Sequence, residues 1–140
     1  MNSIYIGEIL LWISHTLYVS CFIPQIFTNY RLKSTDGLSR ATIFIYFFGY
    51  FVEILYAYFL DLPLAMKVMI PAGYIVASTV AFQRFYYEKS DGYRWELYKI
   101  YGGAFLLMAI FTVIGLKYPF AIGHLCGWIG TLMWLTYQMP

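Results

Sequence analysis

Apolar residues gather in five long stretches, Ile4–Ile23, Ala41–Leu60, Leu64–Tyr87, Ile100–Leu116 and Phe120–Pro140, separated by short polar breaks. Each is about 17 to 25 residues long, the length a helix needs to cross a hydrocarbon core ~30 Å thick. The pattern predicts an all-α membrane protein with five transmembrane helices. Turn chemistry marks the breaks. In Asn29–Arg40, Gly37 permits positive φ, Asp36 can bond its own backbone and Ser39 suits the N-cap of the second span. Asp61-Leu62-Pro63 reads as a tight turn, with Pro63 in the first turn of the next helix. Glu88–Lys99 is a second polar break with aromatic edges, and Lys117-Tyr118-Pro119 is the last turn.

Composition identifies the solvent. Hydrophobic residues make up 61% of the chain and charged residues 11%, too few polar groups to cover a water-soluble domain. The first stretch has no basic residue before it and no small-residue cleavage site after it, so a removable signal peptide is not expected. Placement of charge says more than the net +2. Arg31, Lys33, Arg40, Lys89, Arg94 and Lys99 lie in two breaks and Arg84 just before the second, leaving only Lys67 and Lys117 for the other face. The two basic breaks are therefore expected in the cytoplasm, the N-terminus outside or lumenal and the C-terminus inside, in a membrane the sequence does not specify.

Little in the chain points to enzymatic chemistry. Cys21 and Cys126 lie in spans without neighbours at metal-ligand spacing, and read as packing residues. There is no Ser-His-Asp, Cys-His or phosphate-loop constellation, so neither an enzyme nor a cofactor or metal site is expected, nor a nucleic-acid partner. Ionisable groups inside spans are costly and are candidate functional residues. Glu53, slightly past the middle of the second span, is a candidate proton acceptor, with snorkelling or a bond to a tyrosine as the plain alternative. His15 is a candidate relay, against the simpler reading of a ring bonded to a helix carbonyl. Glu8 and His124 sit close to the outer boundary and read as interface residues.

Aligning Pro140 on Pro24 reveals an internal repeat: Ile6, Gly7, Trp12, Ile13 and Pro24 match Ile122, Gly123, Trp128, Ile129 and Pro140. Gly123, Gly127 and Gly130 give the fifth span a small-residue face, for packing within the chain or for docking a partner helix. Pro24 lacks an amide hydrogen and frees a backbone acceptor near one end of the first span, so that helix either bends or ends there; Gln25 could satisfy the freed group.

The ordered set Pro24-Gln25-Ile26, Asn29, Lys33-Ser34 and Gly37-Leu38-Ser39, with Gly49 and the Gln83-x-x-Tyr86-Tyr87 ending, resembles the PQ-loop family of cystinosin, the lysosomal cationic amino-acid exporters and, more distantly, the SWEET sugar transporters. The resemblance covers most of residues 5–90. It implies seven spans arranged as a three-helix bundle, a linker helix and a second bundle, which assigns 1–90 to the first PQ-loop bundle, 91–119 to the linker loop and helix, and 120–140 to the first helix of an incomplete second repeat. It implies a carrier of a small polar solute, amino acid ahead of sugar, working by alternating access with Pro24 and Gln25 as hinge. By residue type, Tyr74 and Ser78 are candidate cavity residues beside Glu53 and His15, with helix packing as the plain alternative. The acids that proton-coupled members carry are replaced here by Tyr50 and Ala77, which puts proton coupling through those positions in doubt. A truncated product is expected, or an assembly in which a second copy or a longer homologue supplies the missing wall. A non-transporting receptor or assembly factor, and an inactive remnant, are the alternatives.

Overall fold

The computed structural model describes residues 3–35 and 37–137, and among them every regular element is a helix. They are α1 (Ser3–Ser20), α2 (Ile23–Leu32), α3 (Arg40–Phe59), α4 (Leu64–Tyr87), α5 (Asp91–Lys117) and α6 (Pro119–Tyr137). Asp36 and Pro140, on which part of the turn and repeat readings fell, lie outside the described residues.

The first apolar stretch is not one helix. The chain turns at Cys21-Phe22, because Pro24 in the first turn of α2 has no N–H to give the carbonyl one turn earlier, and α2 then runs to Leu32, into what reads as polar loop. The connecting loop is correspondingly shorter. Its left-handed residue is Lys33 at φ 51°, while no described glycine, Gly37 included, takes positive φ. The second polar break is also mostly helix. Ser90 caps α5 by accepting from the Tyr93 amide at 3.4 Å, Asp91 favours its first turn, and only Glu88–Ser90 remain as a junction.

Ser39 caps α3 as expected, accepting from the Thr42 amide at 3.0 Å. Pro63 stands just before α4 as its N-cap, and Asp61, at φ 53°, reverses the chain between the two helices. Pro71 sits inside α4 without breaking it. The carbonyl that its missing amide leaves free belongs to Lys67, and the Tyr58 hydroxyl donates to it at 3.1 Å.

α3 is the centre of the molecule, packed between α4 and α6; α1 lies against α4, and α5 crosses α3 and α6. Ile43, Phe47, Val52, Leu55, Tyr101 and Cys126 form the main core, and Tyr46, Tyr50, Ile70 and Ala77 a second one. In lipid, close packing rather than water exclusion must hold helices together. The glycine face of α6 supplies it within the chain: a Cβ on Gly127 would lie 2.9 Å from the Tyr56 ring, and one on Gly130 3.3 Å from Glu53 Cγ. That face is therefore occupied by α3. Large apolar side chains point outward instead, among them Ile9, Leu10, Ile13 and Leu17 on α1 and Leu106, Val113 and Leu116 on α5.

Among the described residues, four helical rods are long and apolar enough to cross a membrane: Tyr5–Leu32, Arg40–Phe59, Leu64–Tyr87 and Asp91–Lys117. The fifth expected span forms α6 but is not among these four.

Candidate functional site

Several cavities open among the helices. One, of about 210 Å³, lies toward the Pro63 end and is lined by His15, Tyr18, Tyr50, Glu53, Met69 and Trp134, among others. A second, of about 190 Å³, lies toward the Ser39 end, with Phe22, Gln25, Thr42, Tyr46, Tyr50 and Ala77 in its wall. Tyr50 belongs to both. It is 3% exposed, and its hydroxyl is buried without a hydrogen-bond partner. Gly73 makes room for it, because a Cβ there would enter the Tyr50 ring.

An aromatic layer separates the two chambers. Trp134 from α6 meets Tyr18 of α1 at 5.8 Å between ring centroids, and Tyr46 and Tyr50 of α3 at 5.2 and 5.6 Å, each with an edge toward a face. Phe22 closes on Tyr46 at 4.4 Å. The indole N–H of Trp134 donates to the Glu53 carboxylate. Glu53 is thus neither snorkelling nor held by a tyrosine; it faces the cavity with an aromatic partner. His15 stands across the same cavity, its Nδ1 held by the Leu11 carbonyl at 2.9 Å. A carbonyl can only accept, so the ring donates from Nδ1, which is the helix-carbonyl bond of the simpler reading.

Tyr74 and Ser78 do not join this site. They line a third cavity of about 520 Å³ on the opposite side of α3 and α4, with Phe47, Phe85, Tyr101 and Phe105. A helix face repeats every 3.6 residues, so Tyr50 and Glu53 share one face of α3 while Tyr74 and Ser78 share another face of α4, turned to α5.

The motif residues form a joint between α2 and α4. Gln25 donates to Asn29 Oδ1 at 2.7 Å, Asn29 donates to Gln83 Oε1 at 2.9 Å, and Gln83 donates to the Ile26 carbonyl at 3.0 Å. Asn29 is 2% exposed, so this amide chain is the means by which its polar atoms are satisfied in a low-dielectric setting. Gln25 consequently serves Asn29, not the carbonyl freed by Pro24. Lys33 lies over the Tyr30 ring at 3.7 Å, and buried Thr35 ties the loop to α4 by accepting Arg84 through its carbonyl at 3.1 Å and its hydroxyl at 3.0 Å. Ser34 borders a small polar cavity beside Arg84 and Glu88, Gly37 is exposed, and Ser39 is the cap already described.

Sequence reasoning missed Trp134, Tyr18 and Tyr46. The repeat carried the signal for the first two: Trp134 stands to Tyr18 as Gly123 stands to Gly7. The side chains of these repeat-related positions meet in the structure.

Residues 6–66 match the PQ loop repeat family. A stretch of 34 residues is 56% identical to the vacuolar arginine/histidine antiporter YPQ2 of Saccharomyces cerevisiae, covering 24% of this chain and 11% of that protein. No solved structure matches the chain. The chain is an integral membrane protein, and its residues 6–66 resemble a PQ loop repeat.

Proposed function

We propose that the chain carries an amino acid across a membrane, with the Glu53 cavity as the place where the solute's cationic group is held. One observation carries this reading: a carboxylate inside the membrane, lining a cavity walled by aromatic rings. A carboxylate offers charge-assisted hydrogen bonds to an ammonium or guanidinium group, and ring faces attract the same cation. The antiporter that shares the 34-residue stretch handles arginine and histidine, which agrees with that chemistry.

Movement is assigned to the Cys21-Phe22 turn. α2 is tied to α4 through Gln25, Asn29 and Gln83, so bending at Pro24 swings α1 relative to a fixed α2, as alternating access requires. The Lys33–Ser39 loop and the Glu88–Ser90 junction face the cytoplasm in this scheme, with the N-terminus on the far side. Residues 1–90 act as one three-helix bundle, 91–119 as a linker and 120–140 as the opening helix of a second bundle. Gly7 has nothing within 4 Å, whereas its repeat mate Gly123 is packed against Phe59 and Leu60. The open side of α1 suits a helix equivalent to α3, from a further part of the protein or a second copy.

Uptake of radiolabelled arginine into proteoliposomes tests the function. Wild type is expected to accumulate arginine above protein-free vesicles, and Glu53→Gln to lose most of that uptake. Equal uptake by both proteins contradicts the assignment.

A further inference from the structure

The group bonded to Glu53 is a side chain of the protein itself. Trp134 places its N–H on the carboxylate and its ring among Tyr18, Tyr46 and Tyr50, filling the position between the two chambers. One glycine lets it reach that far: a Cβ on Gly130, one turn before Trp134, would press on Glu53 Cγ at 3.3 Å. The side chain is half-buried and comes from α6, outside the α1–α4 bundle that supplies the other rings.

We infer that Trp134 is an internal plug that competes with solute for Glu53 and so sets which solutes enter. The inference rests on the proposed solute site. A solute reaching Glu53 must take the carboxylate from the indole N–H and move the ring out of the aromatic layer. A solute bringing a hydrogen-bond donor, best a cationic one, restores the lost bond; a neutral aliphatic solute leaves a half-buried carboxylate without its donor, which is costly. No atom is transferred, and the step is an exchange of one donor for another.

Cavity access can be read without any solute. Val19 lines the Glu53 chamber and Cys21 is exposed, so Val19→Cys in a Cys21→Ser background places one accessible thiol there, and buried Cys126 reports on intactness. The full chain is labelled in lipid nanodiscs with 2-aminoethyl methanethiosulfonate, a small ammonium reagent. Trp134→Phe keeps a ring but loses the N–H, and Trp134→Ala removes both. Both are expected to label several-fold faster than wild type, and Trp134→Phe to bind arginine about tenfold more tightly, as loss of one charge-assisted competitor predicts. Wild-type labelling rates in both variants, or weaker arginine binding by Trp134→Phe, overturn the inference. If Trp134→Ala also exposes Cys126, its packing has failed and Trp134→Phe decides. Faster labelling with no arginine binding by any protein supports the plug while overturning the proposed solute.

Discussion

Asn29 on α2 donates to Gln83 on α4 at 2.9 Å, and both side chains are buried. Removing the Asn29 amide takes a partner from both Gln25 Nε2 and Gln83 Oε1. Asn29→Ala is expected to lower stability by about 1–3 kcal/mol, the cost of leaving buried polar groups unpaired. Thermal unfolding in mild detergent measures it, and an unchanged midpoint would show that the amide chain does not hold α2 to α4.

Tyr58 and Pro71 form a second matched pair, since the tyrosine hydroxyl serves the Lys67 carbonyl that the proline leaves free. Tyr58→Phe should cost about 1 kcal/mol. In a Pro71→Ala background the helix can make its own bond, so the same change should cost much less. A double-mutant cycle with no coupling would contradict this account.

The fold was legible in the sequence where one physical rule acted alone. Span length and the Ser39 cap fixed α3, and Pro24 marked the break after α1. Helix ends were less legible, because a polar amphipathic turn such as Asn29–Leu32 or Asp91–Lys99 is helical here yet composed like a loop. The site was half legible. Glu53 and His15 stand out as ionisable groups in apolar surroundings, and the structure gathers them into one cavity. Tyr74 and Ser78 were grouped with them because residue type says nothing about which face of α4 they occupy. Residue type alone does not single out Trp134, because its role depends on the approach of α6 to α3, a tertiary fact.

The Asp61 carboxylate accepts from Lys67, and that hydrogen bond, then the ammonium charge, holds its pKa below the ordinary aspartate value. A lowered pKa means that the pair's contribution is present above the ordinary aspartate range and disappears as pH falls through the folded-state value. Lys67→Met should move the Asp61 midpoint upward, toward the ordinary value. Carbon NMR of the aspartate carboxyl follows it, and an unmoved midpoint would rule out Lys67 as the cause.

Pro24→Ala gives Ser20 back a backbone donor and should straighten the turn between α1 and α2. Solute binding should survive while exchange across proteoliposomes slows. Exchange at the wild-type rate would remove Pro24 from the mechanism.

The central claim is that Glu53 holds the cationic group of a solute, and equilibrium binding to the protein in nanodiscs tests it most directly. Arginine and citrulline have nearly the same shape, but only arginine carries the side-chain charge. Wild type is expected to bind arginine well and citrulline weakly, and Glu53→Gln to lose at least about thirtyfold in arginine affinity, the scale for truncating one partner of a buried charge pair, while binding citrulline nearly as before. Arginine bound equally by wild type and Glu53→Gln would contradict the account.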